Sequence, residues 1–319
     1  MATQFTTIDA SALTSVDYAT YLAGYFAAMT TTTKGATTYY DSVYYDLGMG
    51  PTTYYTGSQT GVRYDGSTNN AQVLMEGEAM QYDGIDGVNH GSYSGSVDSV
   101  TFGYYDASTT FAQIDGVARS TIIGVIEGLV VSGLDISAEV GAGGADSGND
   151  FYDLMTALRD GNSATLGADA IAKLYEFFSS QAQHFIGSDG NDAYVGTKFG
   201  DIIDAGLGLD TLDGGKGKDL FVFDLGDSAA VAADADVISN FNVKQDRIDL
   251  SAIDTNAVKD GDQAFKFYGT DDLGNKPGVN FEKVGTQTHV SVDTDGDATV
   301  DMLIILDGNF KLTVDNFVL

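Results

Sequence analysis

Residues 187–222 read Gly187-Ser-Asp-Gly-Asn-Asp192-Ala-Tyr194-Val, Gly196-Thr-Lys-Phe-Gly-Asp201-Ile-Ile203-Asp, Ala205-Gly-Leu-Gly-Leu-Asp210-Thr-Leu212-Asp and Gly214-Gly-Lys-Gly-Lys-Asp219-Leu-Phe221-Val. An aspartate recurs every nine residues, at 192, 201, 210 and 219, and a large apolar residue follows each by two. The fourth copy matches the nonapeptide G-G-x-G-x-D-x-U-x at every fixed position. Each copy is predicted to be a glycine-rich turn followed by a short strand, with glycine supplying the positive φ angles of the turn. Two copies make one coil, so Asp192 is expected beside Asp210 and Asp201 beside Asp219, with stacked strands ~4.8 Å apart. Carboxylates at that distance repel by about 1 kcal/mol in water and by more when shielded from it. A cation between them turns repulsion into ligation, and Ca²⁺, which takes about six to eight oxygens, suits the arrangement. The expected ligand set is Asp192, Asp201, Asp210 and Asp219, with the turn positions Gly187, Asp189, Gly190, Gly206, Gly208, Gly215 and Gly217. Folding is then expected to be metal-coupled. Four phased copies argue against a flexible Gly/Asp linker.

These repeats resemble the RTX family of secreted bacterial proteins. The stretch Asp236-Val-Ile-Ser-Asn-Phe-Asn-Val-Lys-Gln-Asp-Arg-Ile-Asp-Leu-Ser-Ala-Ile-Asp254, and Gly261-Asp-Gln-Ala-Phe265 after it, resemble the C-terminal segment of serralysin metalloproteases. The ending Asp315-Asn-Phe-Val-Leu319 resembles the uncleaved C-terminal signal of type I secretion. The resemblance covers about 183–319. It implies an all-β domain, a parallel β-roll followed by β-sandwich-like strands, and the type I secretion machinery as a partner. Asp293-Thr-Asp-Gly-Asp-Ala-Thr-Val-Asp301 is either a further calcium loop or an acidic hairpin. Serralysins are proteases, but the zinc motif H-E-x-x-H is absent here. The three histidines, His90, His184 and His289, are isolated in sequence, and Gly91-Ser-Tyr-Ser-Gly95 has tyrosine where a nucleophile elbow needs serine. No enzymatic activity is expected.

Composition agrees with an extracellular protein. The net charge is −31, from 46 acidic against 15 basic residues, so nucleic acid and anionic membrane surfaces are not expected partners. There is no cysteine, which excludes disulfides and thiolate sites. Residues 1–20 lack the basic and apolar regions of a signal peptide, so an exported chain is expected to carry its address elsewhere. The longest apolar stretch, Thr121 to Val131, is interrupted by Gly124, Glu127 and Gly128 and is too short for a membrane span. Composition shifts near residue 183, with ten of the 15 basic residues beyond it. Two domains are expected, 1–182 and 183–319, with the boundary at Ser180–Ile186.

The first domain reads as α+β, with a curved antiparallel sheet and helices. Apolar spacing predicts a helix over Val16–Met29 with Ser15 as N-cap. Tyr/Thr/Val-rich runs predict strands over Thr37–Tyr82, and a strand pair at Gly95–Tyr105 and Thr110–Ile114. Arg119–Val131 fits helix or buried strand. Asp150–Leu158 and Leu166–Phe178 read as two amphipathic helices joined by Arg159-Asp160-Gly161-Asn162.

Tyr82 and His90 flank the glycine-rich loop Asp83-Gly-Ile-Asp-Gly-Val-Asn89. A histidine beside a tyrosine hydroxyl can accept its proton, and the phenolate is a hard ligand for Fe(III). On this chemistry alone the pair reads more readily as one tyrosine among 18 next to a surface histidine. Residues 8–180 resemble the haem-acquisition hemophores. The resemblance is carried by Val16-Asp-Tyr-Ala-Thr-Tyr-Leu-Ala-Gly-Tyr25, by Asn70-Ala-Gln-Val73 with Gly77 and Tyr82, and by Ser96-Val-Asp-Ser-Val-Thr-Phe-Gly103. Ser132-Gly-Leu-Asp-Ile-Ser137 and Tyr152-Asp-Leu-Met155 with Arg159-Asp-Gly161 resemble the later helical part. In that family a tyrosinate binds haem iron and a histidine eight residues later hydrogen-bonds it, which implies those roles for Tyr82 and His90. The loop Met29–Thr38 lacks the second histidine ligand that members often supply; Met29 and Lys34 stand there instead. The implied function is capture of extracellular haem and its delivery to an outer-membrane receptor. The rival reading is a non-enzymatic matrix, adhesion or surface-layer protein, which the Tyr-rich run Tyr39–Tyr55 fits as well.

Overall fold

The structure, a computed structural model, describes residues 5–27, 36–40, 54–64, 71–83, 92–105, 111–114, 117–120, 125–139, 142, 148–161, 163, 166–254 and 264–319. Along the chain run β1 (Thr6–Asp9), α1 (Tyr18–Ala27), β2 (Ala36–Tyr40), β3 (Tyr54–Tyr64), β4 (Ala71–Asp83), β5 (Ser92–Tyr105), β6 (Phe111–Ile114), β7 (Val117–Ser120) and β8 (Val125–Ala138). Then come α2 (Asp150–Asp160), α3 (Gly167–Phe178), β9 (Gln183–Ile186), β10 (Ala193–Val195), β11 (Ile202–Asp204), β12 (Thr211–Asp213) and β13 (Leu220–Val222). The last elements are β14 (Val237–Ser239), β15 (Arg247–Asp249), β16 (Lys266–Gly269), β17 (Gly278–Val284), β18 (Gln287–Asp293), β19 (Met302–Leu306) and β20 (Phe317–Val318). The chain divides into two compact units, Tyr21–Ser180 and Met1–Thr20 with Gln181–Leu319.

In Tyr21–Ser180, strands β2-β3-β4-β5-β8 pair in that order, all antiparallel. The expected pairing of 95–105 with 110–114 is not found. β5 is occupied on both edges by β4 and β8, and β6 pairs with β7 instead. The ambiguous stretch 119–131 contributes to strands β7 and β8. Residues 132–137, expected in a helical part, are also strand. Leu134 and Ile136 are buried and Gly133, Asp135 and Ser137 exposed, which is the period of a half-buried strand. The two expected amphipathic helices are α2 and α3. Asn149 caps α2: its Oδ1 accepts from the Tyr152 amide at 2.9 Å, while its Nδ2 donates to the Tyr93 carbonyl at 2.7 Å. Edge-on aromatic contacts at 5.5–6.0 Å join Tyr25 of α1, Phe102 of β5 and Phe178 of α3 into one core.

The other unit is a parallel roll. One face runs β1-β9-β11-β13-β15-β20 and the other β10-β12-β14-β19. Registers of Ala193 with Thr211 and of Ile202 with Leu220 show that two nonapeptides close one coil. Phe185, Tyr194, Ile203, Leu212, Phe221, Ile238 and Ile248 fill the interior, none more than 1% exposed. Each such side chain contributes about 1.5–3 kcal/mol by leaving water. The strands after the roll extend its own sheets: β17-β18-β19 form an antiparallel meander whose last strand pairs parallel with β14, and β20 pairs with β15. The N-terminal segment adds a coil in front of the repeats. β1 pairs with β9, Asp17 bridges Ala193, and Ile8 takes the inward position next to Phe185. This explains why α1 begins at Tyr18 and not near Ser15. Val16 and Asp17 are held in extended pairing, where the Ala193 amide donates to the Val16 carbonyl at 2.7 Å.

Candidate metal centre

The roll stacks its aspartates into two ladders. On one edge the amides of Val16, Asp192 and Asp210 donate to the Oδ1 atoms of Asp192, Asp210 and Asp236 at 2.6, 2.8 and 2.8 Å. On the other edge the amides of Gln183, Asp201 and Asp219 donate to Asp201, Asp219 and Asp246 at 2.7, 2.9 and 3.1 Å. All six carboxylates are at most 3% exposed. The backbone of each coil thus aims one amide at the carboxylate of the next, and every aspartate stands beside its like-charged neighbour.

Asp192, Asp201, Asp210 and Asp219 lie where the period predicts. Asp236 and Asp246 were missed because the glycine turns before them are replaced by longer segments. The signal that survives is the strand half of the repeat, Asp236-Val-Ile238-Ser and Asp246-Arg-Ile248-Asp, which keeps an aspartate two residues before a buried apolar residue. Gln183 takes the aspartate's place in the first rung of the second ladder, ahead of His184 and inward Phe185.

The turns fall into two kinds. In the first and second copies the Ser188 and Thr197 amides donate to Oδ2 of Asp192 and Asp201 at 2.6 and 2.5 Å, and their hydroxyls donate to Oδ1. In the third and fourth copies Gly206 and Gly215 have φ of 76° and 78°, and Gly208 and Gly217 of 140° and 139°, so these two turns share a conformation that the glycines of the first two copies do not adopt. A Cβ at Gly215 or Gly217 would collide with the carbonyl oxygens of Thr197 or Phe199. Asp210 Oδ2 and Asp236 Oδ2 are buried with no hydrogen-bond partner. Burial pushes the Asp210 carboxyl up to about 8; the Asp192 amide opposes this and the Asp236 and Asp192 carboxylates add to it. Burial likewise raises Asp219 to about 7, against the Asp201 amide and with repulsion from Asp246 and Asp201. Asp236 is also raised to about 7 by burial, opposed by the Asp210 amide and reinforced by Asp227. Asp201 and Asp246 shift upward for the same first reason. Without a counter-charge Asp210, Asp219 and Asp236 hold protons near neutral pH, an arrangement that a hard cation relieves.

Of the remaining expected ligands, Gly187 is buried, its amide donating to the Asp204 carbonyl at 2.8 Å, and Asp189 is exposed at the turn tip. Gly190 sits against the Thr14 carbonyl. In the β18–β19 loop, carboxylate oxygens of Asp293, Asp295 and Asp297 lie within 4.8 Å of one another. Both oxygens of buried Asp293 already accept loop amides, from Gly296 at 2.6 Å and Ala298 at 2.9 Å.

Tyr82 lies in β4, opposite Tyr55 of β3 and Tyr93 of β5. Its side chain, and His90, Met29 and Lys34, lie outside the described residues, as does 255–263. His184 and His289 lie on β9 and β18. Among the described residues no helix is long and apolar enough to cross a membrane.

The model of the family described as Peptidase M10 serralysin C terminal matches residues 121–319. No curated protein matches the chain. Among solved structures, the R2 subunit of the Azotobacter vinelandii mannuronan C5-epimerase AlgE6 is 28% identical, over 43% of this chain and 80% of its own, at a TM-score of 0.31. Its R3 subunit is 24% identical, over 43% and 77%, at 0.26. The holo hemophore HasA of Yersinia pestis is 16% identical, over 54% and 88%, at 0.34.

Proposed function

This chain belongs to the Peptidase M10 serralysin C-terminal family, and from that premise we propose that it is an exported binding protein whose roll folds around calcium. The observation that carries this reading is the pair of buried carboxylate ladders, with Asp210 Oδ2 and Asp236 Oδ2 left without partners. The donors are oxygens only, which suits Ca²⁺ and not a soft metal. Asp192, Asp210 and Asp236 would hold cations on one edge, and Asp201, Asp219 and Asp246 on the other. Carbonyls of the turns containing Gly187, Asp189, Gly190, Gly206, Gly208, Gly215 and Gly217 would complete the shells. Bound calcium supplies the positive charge that lets stacked carboxylates ionise together. The residues themselves fix register, because each Oδ1 anchors the preceding coil. A calcium-poor cytoplasm would then keep the chain open for the type I machinery, and calcium outside would close the roll.

The test is a calcium titration of chelator-treated protein followed by far-ultraviolet circular dichroism and metal analysis. Strand signal should rise with calcium, with at least one ion per ladder retained after dialysis. Less than one ion per chain, or an unchanged spectrum, would sink the reading.

For the N-terminal unit we propose ferric haem as the ligand, held by the Tyr82 phenolate with His90 as its hydrogen-bond partner. What supports this is the order and spacing of the two residues. The position of Tyr82, one residue from the end of β4 and in register with Tyr55 and Tyr93, adds to it. An absorbance titration of the calcium-loaded protein with haem should saturate at one per chain and fail in Tyr82→Ala. A titration with no change beyond that of free haem would leave the matrix or adhesion reading in its place, and a Tyr82→Ala spectrum identical to wild type would overturn Tyr82 as the ligand.

A further inference from the structure

In a chain of net charge −31, cations collect on one edge of the roll. The turns before β11, β13 and β15 stack in register. The Lys216 amide donates to the Thr197 carbonyl at 2.9 Å, the Asp201 amide to Asp219 at 2.9 Å and the Asp219 amide to Asp246 at 3.1 Å. This stacking sets Lys198 beside Lys216, with Lys218 on the same turn, Lys244 on the next, and Arg247 opening β15 opposite Leu220. All five are exposed. Among the described residues the ion pair found is Lys173–Glu176, so none of the five pairs with a described carboxylate. Arg247 Nε donates to a backbone carbonyl, that of Asp315, at 3.3 Å.

The opposite edge is different. Its turns, 187–192, 205–210 and 223–236, contain no lysine or arginine and carry Asp189, Asp224, Asp227 and Asp234. Among the described residues the cations of this ridge outnumber the unburied acids beside them: Asp213, whose Oδ1 accepts from the Gly215 amide and the Asn240 side chain, and Asp315, whose carbonyl accepts from Arg247, keep their charge. Asp201, Asp219 and Asp246 are buried beneath the ridge and are the groups that calcium would neutralise. In that respect the inference rests on the calcium reading.

We propose that this edge of the roll binds a linear anionic polysaccharide, a polyuronate with one carboxylate per sugar. The turns repeat at ~4.8 Å, close to the rise of one sugar along an extended chain, so a polymer lying along the roll meets a cation at each turn. Phe199, with the Lys198 ammonium 5.1 Å from its ring, offers an apolar face for sugar C–H groups among the charges. Duplex nucleic acid, with one charge per ~1.7 Å, brings far more negative charge against the surrounding acids than this ridge can offset.

The experiment is calorimetric titration of the full chain in calcium with a short oligogalacturonate, too short to gel, and circular dichroism on the same sample. Saturable binding that weakens with salt is expected. Changing Lys198, Lys216, Lys218 and Lys244 together to Gln should lower affinity roughly tenfold or more. Changing Lys173, Lys266, Lys276 and Lys283 to Gln, an equal change of net charge, should leave it unaltered. A folded roll that binds no oligogalacturonate overturns the proposal, and so does an equal loss in both variants. A single-stranded oligonucleotide of matched charge that binds as tightly would overturn the assignment to polysaccharide. Missing strand signal in calcium would instead overturn the calcium reading and, because the turns would not be stacked, the ridge with it.

Discussion

Asp210 shows how one side chain serves two roles in the roll. Its Oδ1 receives the Asp192 amide, and its Oδ2 has no partner within the protein. The two roles separate by substitution. Asp210→Asn keeps an acceptor for the Asp192 amide and removes the charge. It should weaken calcium binding while leaving the metal-free protein at least as stable. Asp210→Ala also strands the buried amide and should cost a further ~1–3 kcal/mol. Denaturant unfolding in chelator and in calcium measures both. Gly215→Ala should be severe in either condition, since φ is 78° and the new Cβ meets the Thr197 carbonyl. The pH dependence follows from burial. The folded-state values of Asp210, at about 8, and of Asp219 and Asp236, at about 7, lie above the ordinary carboxylate value of 3.8. Their contribution to the metal-free roll is therefore fully present below about pH 4 and is lost as pH rises through 7 to 8. Chelated protein should hold its strand signal in mild acid and lose it toward pH 8, where calcium should restore it. A chelated roll whose stability rises with pH over that window would contradict the burial argument.

At the scale of elements, the N-terminal segment behaves as the first coil of the roll. The Val16 amide donates to Asp192 at 2.6 Å as each later coil does to its neighbour, and the Tyr18 ring lies 5.7 Å from that of Tyr194. Val16→Pro removes that donor and should destabilise the roll by about 1–3 kcal/mol. Deleting residues 1–17 should also expose the coil beginning at Gln183. Hydrogen exchange at the amides of β9 and β10 should accelerate in both variants. If exchange there is unchanged, the segment is an ornament on a roll complete without it. The inward apolar positions form the other repeated device. Ile203→Ala should cost about 2–5 kcal/mol, because the rigid coil cannot collapse around the cavity.

At the scale of the whole molecule, 46 acidic residues against 15 basic ones put the folded chain under self-repulsion. Screening should relieve it. The melting temperature in chelator should rise with sodium chloride, and the dependence should shrink in saturating calcium, which neutralises the ladder charges directly. Equal salt dependence in both conditions would mean that surface charge, not the ladders, carries the strain.

The sequence by itself determined the roll, because its period of nine repeats both the backbone turn and the inward side chain, and a local rule repeated in phase can be read without knowing the fold. It also determined α2 and α3, whose apolar faces are local, while the cap at Asn149 came from the structure. Tertiary structure alone decided where the rule continues after it breaks. Asp236 and Asp246 follow their ladder partners by 26 and 27 residues, and only pairing of β14 and β15 onto the roll makes them rungs. It alone decided that Thr6–Asp17 closes the front of the roll, since Val16 meets Asp192 across 176 residues by a backbone hydrogen bond that no side-chain pattern encodes. The pairing of β6 with β7, and the strand at 132–137, were decided in the same way, by which edges the neighbouring strands had already filled.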